Sequence, residues 1–172
     1  MGGYIGWIIA LVVLGMLAYP ILQLVPSKRQ RLQVQLRQLA TQKGIRIQIS
    51  QPQIPAALAG QYDDLRFCVA YLLPLPPQQH CRLQQSYLAL RSHNEENGWF
   101  WPNQQRPEAR LMEAMLEAYR QLPGSCQAVS QGSAGSAIYW RENGDAKTIS
   151  ELHQQLQALN QLISCTKPTP FQ

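Results

Sequence analysis

The run "GYIGWIIALVVLGMLAYPILQLV", Gly3 to Val25, holds 23 consecutive residues without a charge, and Gln23 is its one strongly polar side chain. A helix rising 1.5 Å per residue needs about 20 apolar residues to cross the hydrocarbon core of a bilayer, so this run predicts a transmembrane helix over residues 1–26. A cleaved signal peptide would need a positive leader and a shorter apolar core, whereas the chain starts "MGG". Lys and Arg that flank a first span stay on the cytoplasmic side. They follow the run at once, which predicts a single pass with the N-terminus outside and the C-terminal bulk in the cytoplasm. In that reducing compartment Cys68, Cys81, Cys126 and Cys165 are expected as free thiols.

The next stretch, "SKRQRLQVQLRQLATQKGIR", carries Lys28, Arg29, Arg31, Arg37, Lys43 and Arg46 and no acid. The chain has 15 Lys plus Arg against 10 Asp plus Glu, a net charge of +5, so the remainder sums to 9 against 10. A nucleic-acid arm usually belongs to a domain that is itself basic. A juxtamembrane cluster facing anionic lipid headgroups, at about 1 kcal/mol per residue, fits this distribution better. The six residues are therefore expected to lie on a membrane surface, with no nucleic-acid partner. Leu32, Leu36, Leu39 and Ala40 make a narrow apolar stripe, so residues 27–44 predict an amphipathic helix with Ser27 as N-cap and Gly44 as its stop.

From Ile45 the apolar period changes to two. "IRIQIS", "RFCVAYLL", "QSYLALRSH" and "WFW" read as strands, separated by Pro-rich loops and the turn "NEENG". A helix follows Pro107, with Leu111, Met112, Met115, Leu116, Tyr119 and Leu122 on one face. "CQAVS" and "SAIYWRE" form a pair of strands around "QGSAG". "TISE", Thr148 to Glu151, reads as the capping box of a last helix striped by Ile149, Leu152, Leu156, Leu159 and Leu162. Strands, helix, strands, helix predict an α+β domain over 45–165, an antiparallel sheet with two helices on one face, and a disordered tail over 166–172.

Chemistry-bearing residues are sparse. No C-x-x-C is present, and His80–Cys81 is the one adjoining pair of His or Cys residues, so neither a metal nor a cofactor is expected. Asp63–Asp64 and Glu95–Glu96 are neighbours that point apart in extended chain. "GSAG", Gly132 to Gly135, lacks the Lys and helix of a phosphate loop. The most distinctive stretch is Trp99–Phe100–Trp101: alternation on a short strand leaves at least one ring facing outward, a candidate contact for a partner protein.

The span, the run "PSKRQRLQVQLRQLATQKGIRIQI" and the later "AIYWRENGD" before a Leu-rich helix resemble small single-pass inner-membrane proteins of gammaproteobacteria. In its span and basic helix alone the chain is similar to the YajC subunit of the preprotein translocase. The resemblance implies an inner-membrane location and a tethered domain, and it brings no activity. The expectation is a membrane-tethered interaction domain, an accessory or assembly subunit of an inner-membrane complex and not an enzyme. The alternative is a small membrane-anchored enzyme that uses Cys81 or a histidine.

Overall fold

The computed structural model describes residues 3–23, 27–76, 79–81, 83, 85–92, 98–102 and 106–166. The chain divides into two compact units, Met1–Val34 and Gln35–Gln172. The expected sites at His93, Glu95 and Glu96, the side chains of His80 and Cys165, and the tail beyond Thr166 lie outside the described residues.

The first unit is helical. Helix α1 runs Gly3–Gln23 without a charged residue. The transmembrane helix expected over 1–26 is corrected here: among the described residues no helix is long and apolar enough to cross a membrane. The single-pass topology deduced from that span is corrected with it. Helix α2, Lys28–Gln42, starts as the sequence predicts. The Ser27 amide donates to Gln30 Oε1 at 2.8 Å and the Gln30 amide to Ser27 Oγ at 3.2 Å, a reciprocal cap that satisfies two free donors.

The boundary between the units falls inside α2, because its second half belongs to the core of the other unit. Leu36 and Ala40 are fully buried, whereas Leu32 and Val34 are exposed. Gly44, at φ 78°, turns the chain out of α2, and the Ile45 amide returns to the Ala40 carbonyl at 3.0 Å. Strand β1 (Arg46–Gln48) follows, with Ile45 buried and Ile49 exposed, so the predicted strand face ends one repeat early.

Past the short helix α3 (Ala56–Ala59) and a 3-10 turn at Asp63–Phe67, the strands are β2 (Val69–Pro74), β3 (Gln79–Cys81), β4 (Tyr87–Arg91) and β5 (Trp99–Phe100). Helix α4 (Ala109–Arg120), strands β6 (Cys126–Gly132) and β7 (Gly135–Trp140), helix α5 (Ala146–Ile163) and strand β8 (Ser164–Thr166) complete the unit. Six strands form one antiparallel sheet in the order β1-β2-β7-β6-β4-β5, and β3 pairs with β8 in a second small ladder. The α+β class therefore holds.

Strand alternation divides the sheet's two faces. Val69, Tyr71, Ala89, Val129, Ile138 and Trp140 join the α4 and α5 stripes, Met115, Leu116, Tyr119, Ile149, Leu152, Leu156 and Leu159, in the main core. Ala70, Leu90, Ala128 and Tyr139 belong to a second cluster with Leu65 and Cys68, packed against Ile54 and Tyr62. "GSAG" is the β6–β7 hairpin turn. Gly135 sits at φ 125°, and a Cβ there would overlap the Leu73 carbonyl oxygen, so only glycine fits.

Two helix starts differ from expectation. The cap of α5 is Asp145 rather than Thr148: Asp145 Oδ1 accepts the Thr148 amide at 2.9 Å while Thr148 Oγ1 accepts the Asp145 amide at 3.2 Å. Asp is as strong an N-cap as Ser or Thr, and here it also lies closer to the first turn's positive end. Helix α4 starts at Ala109, with Pro107 buried ahead of it. Thr166, placed in the tail by sequence, instead pairs with Gln79.

Candidate functional site

The aromatic run is a core strand. Trp99 and Trp101 are 5% and 8% exposed and lie in the main core, where the Trp99 ring tilts against Tyr119 at 5.1 Å. Phe100 points to the opposite face, half-buried and 5.8 Å from Tyr62. The alternation is as the sequence predicts. The expected outward patch at Trp99, Phe100 and Trp101 is corrected, because layers on both sides of the sheet cover the edge strand β5.

The basic stretch is divided in use. Lys28, Arg29 and Arg31 are exposed on the first turns of α2. Arg37 is not available to a membrane surface: its Nε and Nη2 donate to the two carboxylate oxygens of Glu142 at 2.7 and 2.8 Å. A carboxylate with only 2% of its side chain exposed needs such a counter-charge. Tyr71 Oη adds a third donor at 3.0 Å. The hydrogen bond to Glu142 holds the Arg37 guanidinium pKa above its ordinary value, and burial together with the Glu142 charge raises that of Tyr71. Glu142 occupies the left-handed region at φ 52°, an unusual conformation for a side-chain-bearing residue. Arg46 is exposed on the edge strand β1.

Lys43, last of the six but one, stands at a cleft of about 420 Å³ between α5 and the end of β2. His153 lies beside it and reaches the Lys43 backbone. Gln79, Gln157 and Gln161 supply amides, and Leu73, Pro74 and Pro76 an apolar strip. At one wall Asn160 ties the sheet to α5: its Oδ1 accepts the Ser136 amide at 2.8 Å, and its Nδ2 donates to the Leu73 carbonyl at 2.9 Å. Sequence reading missed His153 and Asn160 because each sits within an ordinary amphipathic stripe.

Burial first, then the Lys43 charge, pushes the His153 imidazole below its ordinary value. Within the described lining, Lys43 therefore stands beside a ring that is biased toward its uncharged form. We expect NMR titration of the His153 ring to give a pKa below that of an exposed histidine. In Lys43→Met the value should climb part of the way back, since burial persists.

Of the residues named for catalysis, Cys81 is described, whereas the His80 side chain and His93 lie outside the described residues. Cys68 and Cys126 are buried, and burial raises their thiols to about 11 and about 12, so the nucleophilic thiolate is scarce at neutral pH. Cys81 is half-buried and packs against the main core. Among the described residues no group of three His, Cys, Asp or Glu side chains could hold a metal ion.

Helix α1 presents the largest described apolar exposure. Leu11, Val12, Val13 and Leu14 are 66%, 56%, 50% and 64% exposed. Four consecutive residues at 100° steps go all the way round a helix, so every face of this turn carries an exposed apolar side chain. No protein-family model matches the chain. Neither a curated protein nor a solved structure matches it.

Proposed function

We propose that the chain is an accessory subunit, held in a larger protein assembly through α1 and presenting the folded α+β unit as a rigid interaction module. The uncharged, all-round apolar α1 carries this reading. A surface helix keeps a polar face, whereas one apolar on every side belongs inside a hydrophobic core. Tyr4, Trp7, Ile8 and Met16 are also 60–82% exposed, which supports other chains as the source of this core. The folded unit supports the same reading, because Glu142, Asn160 and the buried thiols serve its own packing.

Affinity purification of the full chain tests the proposal. The wild type should bring down protein partners at fixed stoichiometry. Ile8→Asn with Val12→Asn should lose them at least tenfold while the melting temperature of the folded unit stays within about 1 °C. Equal recovery with the double variant, or recovery of the wild-type chain with lipid alone and no protein at fixed stoichiometry, would overturn the reading.

A further inference from the structure

We propose that the cleft between α5 and the end of β2 binds the terminal carboxylate of a peptide. The argument starts from charge. Among the described residues of the lining, Lys43 is the one ammonium and none is a carboxylate. None of the ion pairs among the described residues engages Lys43. One positive charge matches a monoanion. A phosphate dianion would bring a second negative charge, and none of the described lining residues is an Arg, whose fork suits phosphate.

The remaining chemistry selects what carries the carboxylate. Gln79, Gln157 and Gln161 each offer both a donor pair and an acceptor, which is the pattern a peptide unit requires and a hydrocarbon tail does not. Leu73, Pro74 and Pro76 give small aliphatic side chains an apolar strip opposite those amides. A volume of about 420 Å³ lies in the range of sites for small ligands, about 300–1,000 Å³, and suits the last two or three residues of a chain. Asn160, already bonded to the backbone of two strands, keeps this wall fixed before any ligand arrives. The cleft is therefore built to read a chain end by its charge and its last peptide groups, and this holds whatever α1 contacts.

The test is NMR titration of the full chain, kept in solution with a mild non-ionic detergent, against three probes. These are N-acetyl-Ala-Ala with a free carboxylate, the same dipeptide as its C-terminal amide, and acetate. The free acid should shift the His153 ring and Lys43 resonances and bind at least tenfold tighter than the amide or acetate. Lys43→Met, at an exposed position where folding should be unaffected, should abolish that preference, and Gln157→Ala should weaken the acid several-fold. Equal affinity for acid and amide, acetate binding as tightly as the dipeptide acid, or an unchanged preference in Lys43→Met would each overturn the proposal.

Discussion

Trp99→Ala should cost the folded unit about 3–5 kcal/mol in urea unfolding, the range for truncating a core Trp or Phe. Trp99 is buried, with the Tyr119 ring centred 5.1 Å away and the Arg91 guanidinium 5.0 Å from its ring centre. Removal forfeits the apolar contact of the largest side chain on β5 and leaves a void beside the Tyr119 ring of α4. Phe100→Ala, at a half-buried position on the other face, should cost about half as much. Losses below about 1 kcal/mol at both positions would return this strand to the surface.

That contrast also shows what the sequence can and cannot carry. Period-two spacing put Trp99 and Trp101 on one face and Phe100 on the other, and the structure agrees. Whether a face is covered depends on what folds over it. The layer of Ile54, Tyr62 and Leu65 comes from a Pro-rich stretch with no period of its own. The α4 and α5 stripes were legible because a 3.6-residue repeat leaves one way to bury them. The division of α2 was not legible: its charge is uniform, and only the fold supplies Glu142, 105 residues away, to take Arg37 out of the set. His153 was hidden for a related reason, since nothing local marks a helix residue as facing a cleft rather than solvent. The span was a prediction from composition and length, and the described residues hold no helix that meets it.

The second large effect is expected at Glu142. Glu142→Ala should destabilise the folded unit by about 2–3 kcal/mol. That is below the 3–5 kcal/mol of a fully buried broken pair because the Arg37 side chain is 36% exposed and water can take over part of its solvation. The change strips Arg37 of its counter-charge and leaves the buried Tyr71 hydroxyl without its acceptor. Glu142→Gly removes the same carboxylate but relieves the left-handed backbone at φ 52°, so it should be the milder variant by about 1 kcal/mol. Unfolding curves that rank Ala as milder than Gly would show that the backbone at 142 carries no strain. A loss under about 0.5 kcal/mol for both would show that the Arg37 pair does not fasten α2 to the sheet.

The claim that α1 is enclosed by other proteins is tested most directly by photo-crosslinking in cells. A photoreactive residue is placed in turn at Leu11, Val12, Val13 and Leu14, which together face every direction around the helix, and at Gln154, exposed on α5. Discrete protein adducts from all four α1 positions, and none of the same mass from Gln154, are the predicted result. Adducts confined to one α1 position, or no protein adduct from any of the four, would contradict it.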